Sequence, residues 1–189
     1  SLDNAQLSQN WRSEFEENMQ EQRQRSQTAS KGTFKGGLSD ASQETVKLHT
    51  ATHLMYRALK DVLGEHVVQR GSNITPERLR FDFSHEGKVS REILDTVEDI
   101  VNQKIAENLP VTWQEENTNH ALAAGVSGAF GDKYGETVKV YRIGDFSQEI
   151  CGGPHVEHTS VLAEGGKKFK IMKEEASSAG VRRIKAVLV

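Results

Sequence analysis

The chain has 189 residues, of which 35 % are apolar and 27 % charged, with one cysteine and a formal net charge of −3 at pH 7. That length suits one domain with an appendage, and the low apolar share with its negative mean hydropathy leaves part of the chain for surface or linker. No apolar run approaches the ~18–20 residues of a membrane span, the first residues show no charged-then-apolar signal pattern, and a lone cysteine excludes an internal disulfide. A cytoplasmic protein without a membrane partner is the expectation.

Residues 1–41 read as the appendage. Leu7, Trp11, Phe15 and Met19 recur every four residues in a polar stretch, a narrow helical stripe that can dock on something but cannot form a core. Gly32, Gly36 and Gly37 among polar residues mark a loop and a boundary, which places the main domain at 42–189. Residues 42–63 predict a helix with Leu48, Ala51, Met55, Ala58, Leu59 and Val62 on one face and Gly64 as its stop. His49 and His53 lie beside that face. Residues 66–69 and 79–84 read as strands, the second with Leu79, Phe81 and Phe83 on one side. The intervening residues 71–76 are turn-rich.

Residues 90–109 predict a second amphipathic helix. Ile93, Leu94, Val97, Ile100, Val101 and Ile105 face inward, Glu92, Asp95, Glu98 and Asp99 face solvent, and Pro110 ends it. Strands are expected at 111–115 and 138–143, and a terminal hairpin at 169–174 and 181–189. Between residues 167 and 185 there are seven Lys/Arg and two Glu. This local excess permits contact with a phosphate backbone, and equally reads as a solvated ribbon face. Helices interleave irregularly with strand pairs, so the expected fold class is α+β: a mainly antiparallel sheet packed with two long helices, plus an N-terminal helical appendage.

Two short signatures carry the chemistry. His49-Thr50-Ala51-Thr52-His53 places two imidazoles one helical turn apart on one face. Cys151-Gly152-Gly153-Pro154-His155 places a thiol and an imidazole on a tight loop. Either alone is a weak signal, but one Cys and three His complete a tetrahedral set for Zn2+. His158, three residues past His155, is a possible substitute. Four protein ligands favour a closed, structural site by count. Against that, Gly152 and Gly153 let a bound molecule approach the backbone beside the metal. Glu149, two residues before Cys151, shares its side of a strand and is either a general base or a group that orients a ligand.

These residues resemble a known family. The two signatures, with Arg80-Phe81-Asp82-Phe83-Ser84-His85 and Ile143-Gly144-Asp145-Phe146-Ser147 between them, look like the editing domain of alanyl-tRNA synthetase. Freestanding alanyl editing proteins and the threonyl-tRNA synthetase editing domain share the metal signatures. The resemblance covers about residues 42–189, and the N-terminal helix with Phe34-Lys35-Gly36-Gly37 looks like synthetase linker, so a piece of a larger enzyme is expected. There are two departures. Pro154 stands where alanyl enzymes usually carry Thr and threonyl enzymes Pro, and the β-barrel that normally precedes the domain is not evident.

The resemblance implies hydrolysis of the ester that joins a wrong amino acid to the tRNA 3′ end, serine or glycine on tRNA(Ala). A synthetic site cannot strongly reject a substrate that only adds a hydroxyl, so a second, hydrolytic site is needed. It places His49, His53, Cys151 and His155 on zinc, and Gln69 and Thr52 in the substrate pocket. Gln69 and Glu149 become the candidates for activating or positioning water. On residue type alone, Gln69 reads equally as a surface strand residue and Thr52 as a helix threonine bonded to its own backbone. The rival readings are a zinc-stabilised tRNA-binding module without catalysis and a freestanding trans-editing protein.

Overall fold

A computed structural model describes residues 37–128 and 134–189, all within one compact unit, Lys35–Val189. The expected N-terminal helix and its Leu7–Met19 stripe lie outside the described residues. The first described helix, α1, spans Gln43–Leu63. Ser42 caps it: its backbone is extended and its hydroxyl accepts from the Thr45 N–H, satisfying one of the helix's free donors. Gly64 ends it at φ +113°, a conformation that suits glycine. Leu48, Ala51, Leu54, Met55, Ala58 and Leu59 are buried. Burial also takes in Thr45, His49, Thr50, Thr52 and His53, so the first half of α1 is enclosed on more than its apolar face.

One side of α1 meets a four-stranded antiparallel sheet of β1 (Gln69–Thr75), β2 (Arg78–Ser84), β7 (Val181–Leu188) and β6 (Phe169–Ser178), in that order. Its inner face carries Leu79, Phe81, Phe83, Phe169, Ile171, Ile184 and Ala186, all buried in the main core. Leu79 stands opposite Ala186 and Phe81 opposite Ile184. The strand expected at 66–69 instead begins at Gln69 and runs through the turn-rich segment to Thr75. Pairing overrides local propensity there. Ile74 is fully buried opposite Leu79, and residues 37–39 cover the free edge through Ser39 N–H to Ile74 O and Ile74 N–H to Gly37 O, both 2.8 Å. A bulge between Gln69 and Gly71 absorbs the mismatch.

The second long helix, α2, spans Arg91–Ala106 behind a Ser90 cap and buries Leu94, Val97, Val101 and Ile105. It ends at Ala106, in step with its last apolar residue Ile105 and short of the expected residue 109. Glu98 departs from the expected solvated face: its Oε1 accepts from the Ile171 N–H at 2.9 Å and pairs with Arg91. That backbone donor sits beside the bulge between Ile171 and Lys173, and the carboxylate satisfies it.

The remaining strands form a separate antiparallel sheet, β3 (Val111–Asn117), β4 (Thr137–Ile143) and β5 (Ser147–Ile150). The α+β class therefore holds, with two antiparallel sheets in place of one. A short helix, α3 (Thr118–Ala123), covers one face of this sheet through Ala121, Val126, Val138, Val140 and Ile150. Neither α3 nor β5 is signalled by periodicity, because one has six residues and the other four.

Candidate metal centre

The two signatures are brought together where α1 meets the loop after β5. One ligand atom from each of His49, His53, Cys151 and His155 lies within 4.8 Å of those of the other three. His49 Nε2 is 3.4 Å from His53 Nε2 and 3.4 Å from Cys151 Sγ. Zinc bonds of about 2.0–2.1 Å to nitrogen and 2.3 Å to sulfur give tetrahedral edges of roughly 3.3–3.6 Å, so these two spacings and the donor types suit Zn2+. His155 Nε2 is buried with no hydrogen-bond partner, as a nitrogen reserved for a metal would be. His158 is exposed and takes no part in the cluster.

The other nitrogen of each ring is held. His49 Nδ1 is 2.9 Å from Pro154 O, His53 Nδ1 is 3.1 Å from a Glu149 carboxylate oxygen, and His155 Nδ1 is 3.1 Å from Thr50 Oγ1. The Thr50 hydroxyl donates to Val46 O and accepts from the Val156 N–H. It therefore faces His155 as an acceptor, which puts the proton on Nδ1 and leaves the Nε2 lone pair free. Partners of this kind fix the tautomer and orientation of metal-binding imidazoles.

Charge in the cluster gathers on His53 and Cys151, and a metal would take the place of the His53 proton. Burial, reinforced by the charge of His53, pushes His155 down to about 3 and keeps it neutral. Burial opposes charge on His53 as well, but the Glu149 carboxylate and Cys151 thiolate outweigh it and hold that ring up at about 10. Burial raises Cys151, yet the charge of His53 and the polar contacts of the surrounding imidazoles bring the thiol well below its ordinary range. A thiolate is the form a metal requires.

Gly153 is buried against His49: a Cβ built on it would lie 2.5 Å from His49 Cε1. Gly152 is exposed. Both Glu149 oxygens are engaged, one by His53 and the other, Oε1, by the Ser147 hydroxyl at 3.1 Å. Thr52 is buried and donates to Leu48 O at 2.8 Å. Gln69 stands at the start of β1 with its amide donating to Ser72 Oγ at 3.3 Å; among the described residues no hydrogen bond joins it to the cluster. Thr50, Ser147 and Tyr141, whose ring lies 4.4 Å from that of His155, also build the site. Thr50 and Ser147 left a trace in the sequence, one inside the first signature and the other at the end of the Ile143–Ser147 motif, whereas Tyr141 left none. Of the seven cations at 167–185, five are paired: Lys167 with Glu44, Lys173 and Lys185 with Glu175, Arg182 with Glu174, and Arg183 with Asp82.

Residues 138–185 match the model of the threonyl and alanyl tRNA synthetase second additional domain. The alanine–tRNA ligase of Treponema denticola is 51 % identical over 177 residues, covering 94 % of this chain and 29 % of that protein. The chain is related to the alanyl-tRNA synthetases. The Treponema pallidum ligase is 54 % identical over 155 residues, 82 % of this chain and 25 % of its own length, and the Bacillus velezensis ligase 47 % identical over 167 residues. The chain spans less than a third of these alanine–tRNA ligases. No helix among the described residues is long and apolar enough to cross a membrane.

Proposed function

We propose that residues 42–189 form a Zn2+-containing aminoacyl-tRNA deacylase domain that clears Ser-tRNA(Ala), and Gly-tRNA(Ala) more slowly, alongside the remaining domains of a cytoplasmic alanyl-tRNA synthetase. Residues 1–41 serve as its linker. The observation that carries this reading is the convergence of His49, His53, Cys151 and His155, each imidazole anchored through its second nitrogen, in a chain related to the alanine–tRNA ligases.

Zn2+ in such a site polarises an ester carbonyl or lowers the pKa of bound water. The chain's own groups position. Glu149, engaged by His53 and Ser147, orients a ligand and is poorly placed to serve as a free base. Thr52 spends its proton on Leu48 O and keeps lone pairs for a seryl hydroxyl, a contact that alanine cannot make. Gln69, whose amide now donates to Ser72 Oγ, is the group assigned to position the attacking water. The exposed Gly152 and the buried Gly153 let the RNA 3′ end approach the backbone. A specific observation favours a second reading: four protein ligands close a tetrahedral shell, which suits a non-catalytic tRNA-binding module.

Incubation with Ser-tRNA(Ala), Gly-tRNA(Ala) and Ala-tRNA(Ala), following loss of each ester, separates the two. The deacylase clears the first two and spares the third, and Glu149→Gln lowers the rate about 10- to 100-fold through the loosened His53. Binding of tRNA with no ester lost, at enzyme in excess of substrate, establishes the non-catalytic module.

A further inference from the structure

Cross-strand register aligns Trp113 of β3 with Tyr141 of β4, and Tyr141 with Glu149 of β5. Directly opposed residues of antiparallel strands stand on one face, so the three side chains form a row. It begins in solvent and ends at the metal cluster. Trp113 is 49 % exposed. Its ring lies 6.4 Å from that of Tyr141, whose other neighbour is the His155 ring at 4.4 Å, while Glu149 holds His53. Lys139 shares this face, with Nζ 4.2 Å over the Trp113 ring. One step along the strands, Val111 and Ile143 of the same face pack into the main core. The row therefore marks where the sheet leaves the core and opens to water.

A single exposed aromatic is ordinary. This one is tied by ring contact to a tyrosine that touches a candidate ligand, and it carries a cation above its face. We propose that Trp113 and Tyr141 form a stacking platform for the 3′-terminal nucleobase of the RNA whose ester is presented to the cluster, with Lys139 meeting the adjoining phosphate. This rests on the reading of the domain as acting on aminoacyl-tRNA. A nucleobase offers a π-face to Trp113 whatever its sequence once Lys139 swings off the ring to the strand's phosphate, away from Glu115, which stands opposite it on this face. Such a platform binds the end of the strand and leaves amino-acid discrimination to the pocket.

The chain has two tryptophans, Trp11 and Trp113, so a Trp11→Phe parent reports on Trp113 fluorescence alone. Two RNA hairpins serve as probes, one with the complete tRNA 3′ single strand and one truncated to a blunt end, with no unpaired 3′ base. The complete hairpin quenches Trp113 emission and the truncated one does not. Trp113→Ala weakens hairpin binding about 10- to 100-fold, the loss of one stacked base. It also raises KM for Ser-tRNA(Ala) with kcat, melting temperature and zinc content unchanged, and Trp113→Phe restores most of the affinity. Equal emission with both hairpins, or unchanged hairpin affinity in a folded Trp113→Ala chain, overturns the platform. The fluorescence titration requires no turnover. A chain that hydrolyses no ester but shows the selective quench refutes the deacylase reading and retains the platform.

Discussion

Gly153 is the position where a single methyl group tests the centre most directly. A Cβ there would lie 2.5 Å from His49 Cε1 and 2.9 Å from Nδ1, so Gly153→Ala drives the ring back by about 1 Å to reach ordinary contact. His49 is 2 % exposed and has no open space to retreat into. Its Nδ1 bond to Pro154 O, on the same loop, is strained by the same movement. Metal ligands tolerate displacements of only about 0.2 Å, so zinc affinity falls roughly 10- to 100-fold, as for other losses of ligand orientation. Overpacking a tight site costs about 1–3 kcal/mol, which for a domain of this size lowers the melting temperature by about 3–10 °C. Zinc content after equilibration against chelator-buffered metal, together with a melting curve, reads both effects. Gly87→Ala is the control, since its Cβ would meet nothing closer than 3.9 Å. A Gly153→Ala chain that binds zinc and melts like the parent refutes the packing of this loop against His49.

Two further outcomes follow from the same contacts. Thr50→Val keeps the shape but leaves His155 Nδ1 and the Val156 N–H without their acceptor, costing about 1–3 kcal/mol and loosening zinc, while Thr50→Ser retains both; equal zinc affinity in the two variants counts against the tautomer assigned to His155. Glu44 is held below the ordinary glutamate value of 4.5, first by a hydrogen bond from Lys167 and then by the charge of Lys47. A lowered folded-state pKa gives stability that is present above the unfolded value and lost as pH falls through the folded one. Glu44→Gln therefore destabilises the chain at neutral pH, and the difference in melting temperature closes below pH 4.5; a difference independent of pH contradicts this.

The sequence made α1, its Ser42 start and its Gly64 stop legible, because a helix cap and a period near four are local properties. It also exposed the two ligand pairs, since each is a short string. Their meeting across about a hundred residues was legible only through family resemblance, because neither string encodes the other's place in space. β1 was hidden behind Gly71, Ser72 and Asn73, residues that prefer turns when alone. Its pairing with β2 and the cover from residues 37–39 are non-local, and they decide the outcome. The same holds for charge. The excess at 167–185 is real along the chain, but Asp82 and Glu44 arrive from elsewhere to pair with Arg183 and Lys167. Glu98 looked solvated because the donor it satisfies, Ile171 N–H, belongs to a strand some seventy residues on.

The placement of the cluster gives it a mechanical role whatever its chemistry. The three-stranded sheet is fixed to the main core at one end, through Val111, Ile143 and Phe146. Its other end has only the small set of Ala121, Val126, Val138, Val140 and Ile150, too little apolar surface to hold a sheet alone. Between them, His49 and His53 on α1 face Cys151 and His155 after β5. A cation shared by the four would pin the sheet to the helix where apolar contact gives out. The same pin sets the position of Tyr141 against His155, and through it Trp113. A bound cation would thus couple closure of the shell to presentation of the sheet's aromatic face, and under the proposed function a structural zinc and a substrate-presenting one would be compatible descriptions of a single site.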